Sequence, residues 1–233
     1  MNDKVVSRFQ VMMQNGKPVI KTVPSTSDVT NFVLEFEGSS VQDNIKAVLK
    51  YVYDECWGFS EGFAAVRKGD YWGFVSLSLN EVVEPVYLAV ASVNEGFASY
   101  KEGAKYGFLA MRGYSYHPYK WAPAVYDSVH SFKNGMAVVQ KDGLYGYVSK
   151  EKQGEETIEC KFDFAYDFKL EYPHAVVKYN GKFGMINKKG EFVVEPIFDS
   201  YDCYSTYKDG SRYNAKIGDK FYLMSDDGTV VEC

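Results

Sequence analysis

The chain has 233 residues with a formal net charge of −5 at pH 7, and 46% of its residues are hydrophobic. This apolar content excludes a disordered chain. Because no stretch collects enough lysine or arginine to release several phosphate counterions, nucleic acid and anionic membranes are disfavoured as partners. No segment has the composition of a signal peptide or of a membrane-spanning helix, so we expect a cytoplasmic protein.

The N-terminal segment, residues 1–52, is predicted to cap the rest of the chain. Phe9–Val23 has Asn15-Gly16 at its middle, which is typical of a hairpin, and Phe32–Phe36 has the composition of another strand. In Ser40–Val52 the apolar residues change to a helical period. The residues on the apolar stripe are Val41, Ile45, Val48, Leu49 and Val52. We therefore expect a cap made of a hairpin, a strand and a short helix.

From residue 53 onwards the sequence is repetitive. An aromatic residue followed by glycine returns at intervals of 34, 39, 38 and 38 residues, and the last copy is degenerate. The copies are Trp72-Gly73, Tyr106-Gly107, Tyr145-Gly146, Phe183-Gly184 and Phe221-Tyr222. A period of this length is the signature of a repeat architecture, in which each unit must stack on its neighbours to bury its apolar face. The sequence predicts five units, at 53–86, 87–125, 126–161, 162–197 and 198–233.

Each unit is predicted to be a three-stranded antiparallel meander. Two short strands rich in β-branched and aromatic residues flank a turn such as Asp142-Gly143 or Asn180-Gly181, and a third strand follows. Pro85 and Pro196 lie in the third strand, which we expect at a sheet edge because proline cannot donate to the ladder. The predicted fold class is all-β, with the units in an open curved array or, alternatively, in a closed propeller-like ring.

The ring of each aromatic-glycine pair is predicted to be a core residue. A strand glycine has no Cβ, so a ring from a neighbouring residue can lie directly on its backbone. Burial of one such ring contributes about 2–3 kcal/mol. We therefore assign these pairs to the structural signature of the repeat and not to a ligand site. The signature residues are Trp72, Gly73, Tyr106, Gly107, Tyr145, Gly146, Phe183 and Gly184.

Three short motifs recur within the units. Phe59–Val66 has the pattern Phe-x-x-Gly-x-Ala-x-Val, and Trp72–Val75 and Glu84–Tyr87 supply an aromatic-glycine centre and a proline-containing close. The fourth unit repeats the last two of these motifs at Lys182–Ile186 and Glu195–Asp199. Over residues 53–233 these motifs resemble those of the WG-repeat (KWG-type) family. The resemblance implies a bacterial repeat array that acts as a binding or scaffolding module, with no catalytic function assigned to the family.

The residues that carry chemistry form no recognisable catalytic or metal-binding motif. The three histidines, His117, His130 and His174, are far apart in the sequence, and the four cysteines contain no C-x-x-C pair. Aspartates recur directly after the ring that closes a unit, where a carboxylate can accept a backbone N–H in a turn. They are Asp54, Asp127, Asp163 and Asp199. We therefore expect no enzyme, no metal and no cofactor, and a hydrolase is the least favoured function.

Departures from the repeat are the better candidates for function, because stacking does not explain them. The second unit is enlarged between Met111 and Pro123, and its candidate partner-binding residues are Arg112, Tyr114, Tyr116, His117, Tyr119 and Trp121. Loop-borne rings beside arginine and lysine are typical of an interface hot spot or a sugar-stacking platform, and they fit a local core at the array edge equally well. A second candidate set is Tyr204, Tyr207, Arg212 and Tyr213.

The function favoured by the sequence is recognition of a protein partner, with a neutral or basic partner preferred because the chain is acidic. An acidic immunity-type inhibitor of a basic toxin is one concrete form of this hypothesis. The alternative is a glycan- or cell-wall-binding module, which exposed tyrosines would permit but which the missing secretion signal disfavours.

Overall fold

A computed structural model describes residues 8–14, 17–23, 49, 52–77, 80–111, 118–169, 173–202, 206–207, 210–225 and 227–233. The chain divides into two compact units, residues 1–96 with 111–119 and residues 97–110 with 120–233. Both are built from antiparallel strands, which confirms the predicted all-β class. The described residues include no helix that is both long and apolar enough to cross a bilayer.

The first unit contains two sheets and one further short strand. β1 (Arg8–Gln14) and β2 (Lys17–Val23) form the predicted N-terminal hairpin. A four-stranded sheet has the order β3 (Glu55–Cys56), β4 (Phe63–Lys68), β5 (Tyr71–Ser76) and β6 (Glu81–Tyr87). The further strand is β7 (Ala89–Val90).

The second unit contains the remaining sheets. The first has β8 (Phe97–Glu102), β9 (Lys105–Ala110) and β10 (Tyr119–Tyr126), which belongs to this unit from Lys120. The next has β11 (Ser128–Val129), β12 (Met136–Lys141), β13 (Leu144–Ser149) and β14 (Glu156–Phe162). The third has β15 (Phe164–Ala165), β16 (His174–Tyr179), β17 (Lys182–Asn187) and β18 (Phe192–Phe198). The last has β19 (Ser200–Asp202), β20 (Thr206–Tyr207), β21 (Gly210–Ile217), β22 (Lys220–Ser225) and β23 (Val230–Glu232).

The sheets contain a short edge strand that the three-stranded prediction missed. β3 pairs with β4, β11 with β12 and β15 with β16. Each of these edge strands is two residues long and starts directly after one of the recurring aspartates, Asp54, Asp127 or Asp163. Two residues are too few to show a periodic pattern, so the sequence did not reveal them.

The helix predicted at 40–52 is not supported. Residues 40–48, 50 and 51 lie outside the described part of the chain, as does the strand predicted at 32–36. Of the predicted apolar stripe, Leu49 and Val52 are described, and the backbone N–H of Tyr53 donates to the carbonyl of Leu49 at 2.8 Å.

In three repeats the glycine of the aromatic-glycine pair, Gly73, Gly146 or Gly184, lies opposite a bulge in the third strand. Trp72 pairs with Tyr87 and Phe74 with Val83, so residues 84–86 all face Gly73. The same register shift occurs between β13 and β14 and between β17 and β18. Pro85 and Pro196 lie in these bulged edge strands, as the sequence predicted, where a missing ladder donor is tolerated.

A carbonyl oxygen of the bulged strand occupies the space where a side chain would start. A Cβ added to Gly73 would lie 2.3 Å from the Val83 oxygen, and one added to Gly184 would lie 2.6 Å from the Val194 oxygen. The prediction that a ring lies on this glycine is therefore wrong, because backbone fills the space. In the fifth repeat Tyr222 replaces the glycine, and β22 pairs with β23 without a shift.

Consecutive sheets of the second unit pack through their buried faces, which confirms the predicted stacking there. Ala175 and Val177 of β16 belong to the core shared with the preceding sheet, whereas Val176 belongs to the core shared with the following one. Each core joins residues of two sheets, as in Trp121 with Phe132, Tyr147 with Phe168, and Met185 with Tyr213. A strand in the middle of the unit is thus buried on both faces.

The fully buried rings are not those of the aromatic-glycine pairs. The rings that close the repeats, such as Tyr126, Phe162 and Phe198, are at most 2% exposed. Tyr145 and Phe183 are half-buried and pack against the edges of these cores, so the expectation that the signature rings are core residues is met only in part. The signature rings belong to the second residue pair from the hairpin turn, at the rim of each sheet, where a ring cannot be covered on all sides.

The recurring aspartates accept backbone N–H groups of a turn, as predicted, and this turn lies in the hairpin of the same repeat. The Asp163 carboxylate accepts from Gly181 N at 2.7 Å, in the turn that joins β16 to β17. Asp54, Asp127 and Asp199 make equivalent bonds to Gly69, Asp142 and Gly218. Each aspartate therefore fixes the hairpin of its repeat to the segment that leads into that repeat.

We expect Gly73→Ala to destabilise the protein by about 1–3 kcal/mol, because the new methyl group must displace the Val83 carbonyl or open the bulge. The matched control is Gly58→Ala, since no atom lies within 4 Å of a Cβ at Gly58. Urea unfolding followed by tryptophan fluorescence measures both. Equal stability of the two variants would contradict the close approach.

Candidate functional site

The signature rings lie under cations from the opposite strand of their hairpins. Lys178 is directly opposite Phe183, with its Nζ 5.3 Å from the ring centroid, and Lys216 lies over Phe221 in the same way at 4.2 Å. Arg67 and Lys101 cover Trp72 and Tyr106. Such contacts are worth about 0.5–1 kcal/mol at exposed sites. Cations therefore cover these half-buried rings at the rim.

The third repeat lacks this cation, because Gln140 is opposite Tyr145. The ring of Tyr145 instead contacts Phe164 of the next repeat, with centroids 5.2 Å apart. Phe164 contacts Tyr166 at 5.0 Å, and Tyr166 contacts Tyr201 at 5.2 Å. The rim of the second unit thus carries a continuous row of rings.

We call this row the aromatic ladder, and its members are Tyr145, Phe164, Tyr166, Tyr201, Phe183 and Tyr213. Its two most exposed rings, Phe164 and Tyr166, are 38% and 39% exposed. Tyr213 is buried at the other end, where Lys169 Nζ lies 3.2 Å from its hydroxyl and 4.7 Å from its ring centroid. Because each ring contacts the next, the exposed rings are held in place.

A cavity of about 200 Å³ lies beside the ladder, and we call it the ladder cavity. Its lining includes the rings of Tyr166, Tyr201 and Tyr213, and its floor is taken as the three buried apolar residues Ala175, Val176 and Met185, which are at most 4% exposed. Its charged and titratable lining groups are Lys133, Asp167, Lys169 and His174. The cavity therefore combines an apolar interior with two ammonium groups and one carboxylate.

Asp167 joins the third and fourth repeats at the mouth of this cavity. One carboxylate oxygen lies 2.7 Å from His130 Nδ1 and the other 2.6 Å from Lys133 Nζ. A carboxylate only accepts, so His130 Nδ1 is the donor. Burial opposes ionisation of Asp167, but the hydrogen bonds from His130 and Lys133 outweigh it, and the pKa of the carboxyl lies below its ordinary value.

The residues predicted to bind a partner are not brought together in the described part of the chain. Arg112, Tyr114, Tyr116 and His117 lie outside it. Tyr119 is 46% exposed at the start of β10, whereas Trp121 is 6% exposed and packs against Phe97 and Phe132. Trp121 is therefore a core residue of the second unit and does not belong to an exposed surface.

The second predicted set is only partly described. Tyr204 lies outside the described residues, as do the side chains of Tyr207 and Arg212. Tyr213 is 4% exposed, so it supports the ladder from beneath and offers little surface of its own.

The sequence analysis missed the exposed rings of the site. Phe164 and Tyr166 follow Asp163 by one and three positions, where the third repeat has Ser128 and His130. A comparison of the repeats at these two positions would have revealed the change to aromatic residues. The contact of Asp167 with His130 and Lys133 had no sequence signal, because it depends on how two sheets are placed side by side.

Within the described residues, no three His, Cys, Asp or Glu side chains are grouped so that they could hold a metal ion. The Cys160 thiol is half-buried, and burial, followed by the nearby Glu156 carboxylate, raises its pKa to about 11. A thiol with a raised pKa is a poor nucleophile at neutral pH. Cys160 therefore serves packing between β14 and its neighbours.

Comparison with known proteins identifies the repeat. The family model described as WG containing repeat matches residues 46–72, 72–106, 121–145, 145–183 and 183–221. No protein of curated function matches the chain.

Several solved structures are similar over most of the chain at low identity. A eukaryotic initiation factor has 11% identity and a TM-score of 0.45, over 96% of this chain and 62% of that one. Hsv2p of Kluyveromyces lactis has 10% identity and a TM-score of 0.43, over 96% and 75%. The N-terminal domain of Nup159 has 12% identity and a TM-score of 0.34, over 95% and 70%. At these TM-scores the similarity does not establish a shared fold.

We expect Asp167→Asn to lower stability at pH 7 by about 1–2 kcal/mol, because charge-assisted hydrogen bonds from His130 and Lys133 are lost. Since the folded-state pKa of Asp167 is depressed, its stabilisation is complete above the unfolded-state pKa of about 3.9 and is lost as pH falls through the folded-state pKa. The difference from wild type should therefore shrink towards pH 2.

Urea unfolding at a series of pH values measures this difference. Asp219→Asn, at an exposed turn of the same unit, serves as the control and should leave stability unchanged. A loss in the Asp167 variant that is the same at pH 7 and pH 2 would contradict the charged contacts.

Proposed function

Because the chain belongs to the WG-containing repeat family, we propose that it is a non-catalytic binding protein that recognises a protein partner through the aromatic ladder. The observation that carries the proposal is the pair of exposed, touching rings, Phe164 and Tyr166. Aromatic residues are enriched at the centres of protein interfaces and among their hot spots.

The contacts within the ladder also reduce the entropy that its side chains lose on binding. Fixing a mobile side chain in an interface costs about 0.5–1.5 kcal/mol. Tyr166 is already held between Phe164 and Tyr201 in the folded protein, so it loses little further freedom when a partner binds. Tyrosine adds a hydroxyl that can hydrogen-bond to a partner while the ring stacks on it.

The overall charge supports a neutral or basic partner. At a net charge of −5, the long-range field attracts basic proteins and repels acidic ones. In its finer form, the proposal is a cytoplasmic bacterial protein that acts as an acidic inhibitor of a basic toxin, as an immunity protein does.

A glycan- or cell-wall-binding module is the second candidate, and the exposed rings of Phe164 and Tyr166 are the observation that favours it. Exposed aromatic faces can stack on sugar rings without reading a sequence. The two candidates differ in what should be captured: a defined protein in one case and an insoluble polysaccharide in the other.

We expect the double variant Phe164→Ser with Tyr166→Ser to lose partner binding by about 30-fold or more, because the loss of even one hot-spot ring that contributes about 2 kcal/mol corresponds to that factor. The partner is identified by affinity capture from lysate with mass spectrometry, and its Kd for purified wild-type and variant protein is then measured by calorimetry. Phe221→Ser is the control, since Phe221 is 50% exposed in the same unit and lies outside the ladder.

Two results would contradict the ladder as the binding surface. One is an unchanged Kd in the double variant while its unfolding midpoint equals that of wild type. The other is equal weakening by the Phe221 control. Loss of binding on Tyr114→Ser, Tyr116→Ser and Tyr119→Ser instead would place the site in the enlarged loop. Retention on cell-wall polysaccharide, abolished by the ladder variant, would select the glycan-binding function.

A further inference from the structure

The ladder cavity is the right size for one ring. An apolar cavity of about 150 Å³ is enough to hold benzene. The ladder cavity measures about 200 Å³, which leaves space for one small substituent on such a ring. Pockets for larger ligands begin at about 300 Å³. The volume therefore selects a ligand with a single ring.

The lining of the cavity favours an aromatic ligand over an aliphatic one. Three rings line the cavity, Tyr166, Tyr201 and Tyr213, and they meet one another in tilted and edge-to-face contacts. Met185 on the floor supplies a polarizable thioether, which contacts aromatic rings favourably. A further ring would continue the geometry already present in the ladder.

The charges on the lining favour a negative substituent. Lys133 and Lys169 contribute two positive charges and Asp167 one negative charge. Asp167 already accepts from His130 and Lys133, so it is the group least able to recruit a cation. The ammonium group of Lys133 has three N–H donors, and its bond to Asp167 uses one of them. An anionic group at the mouth would meet a net positive charge.

We propose that the ladder cavity binds a single aromatic ring that carries a carboxylate. The ring enters over Val176 and Met185, and the carboxylate accepts hydrogen bonds from Lys133 and Lys169 at the mouth. Two sources share this chemistry, a free monocyclic carboxylic acid and the C-terminal aromatic residue of a polypeptide. The site does not depend on the proposed function, because a small acid can bind whether or not the ladder recruits a protein.

Titration of the purified full-length protein with phenylacetate, followed by NMR chemical shifts, tests the proposal. A ligand with this few atoms should bind with a Kd on the order of 1 mM. Phenylacetamide has the same ring and shape without the charge, and it should bind at least about 10-fold more weakly. The double variant Lys133→Met with Lys169→Met should lose the same factor.

Lys141→Met is the matched control for the lysine variant, because Lys141 is an exposed lysine of the same unit that pairs with Glu156 away from the cavity. It should leave the Kd for phenylacetate unchanged. The unfolding midpoint of each variant is measured alongside, so that a loss of binding is interpreted only for folded protein.

The peptide Ac-Gly-Gly-Phe, as its free acid and as its C-terminal amide, distinguishes the two sources of the ligand, a small carboxylic acid and a polypeptide C-terminus. Tighter binding of the peptide acid than of phenylacetate, lost in the amide, assigns the site to a polypeptide C-terminus. Weaker binding of the peptide acid than of phenylacetate assigns it to a small acid. The proposal is overturned if phenylacetate and phenylacetamide bind equally, or if neither phenylacetate nor the peptide acid binds folded protein at 20-fold the expected Kd.

Discussion

The close approach of a backbone carbonyl to a bare Cα is the contact on which each of the first four repeats depends. At Gly73 and Gly184 the oxygen lies where even one methyl group would stand, and this lets three residues of the third strand pass opposite one residue of the second. This bulge sets the register of the pairing that follows it in the third strand, so that the ring at the end of that strand, Tyr87 or Phe198, is buried in the core. The glycine thus acts on packing several residues away. The fifth repeat shows the converse, because Tyr222 and an unshifted third strand occur together.

The rings at the rim and the rings in the core of each repeat are therefore covered by different kinds of contact. Closing rings are buried between sheets and contribute apolar area, whereas signature rings at the rim are covered by a single cation from the opposite strand. A cation–π contact is replaceable at small cost. In the third repeat Gln140 stands in the place of that cation, and the Tyr145 ring contacts Phe164. Phe183 keeps its cation and also contacts a ring, Tyr201, so the aromatic ladder includes signature rings with and without a covering cation.

Local features of the fold were predictable from the sequence, and relations between repeats were not. The hairpin turns, the edge position of Pro85 and Pro196 and the acceptor role of the aspartates follow from chain chemistry that acts over a few residues. The exposure of the signature rings was mispredicted, because composition does not reveal which end of a strand lies at the rim. The ladder depends on contacts such as Tyr166 with Tyr201, between residues 35 positions apart in the chain. The distribution of ring types among equivalent positions was the one available signal.

The contacts that recur in the repeats and the contacts that differ between them involve different residues, and this explains how such a repeat can acquire a binding site. Asp163 keeps the bond to the next hairpin that its counterparts make, at 2.7 Å from Gly181 N. The residues that follow it, Phe164, Tyr166 and Asp167, carry the ladder and the polar contact to the third repeat. Their positions lie outside the bulge and outside the turn bond, so they can change without disturbing either. The repeated contacts therefore hold the scaffold in register, and an adjoining stretch of four residues is left to specify what the rim recognises.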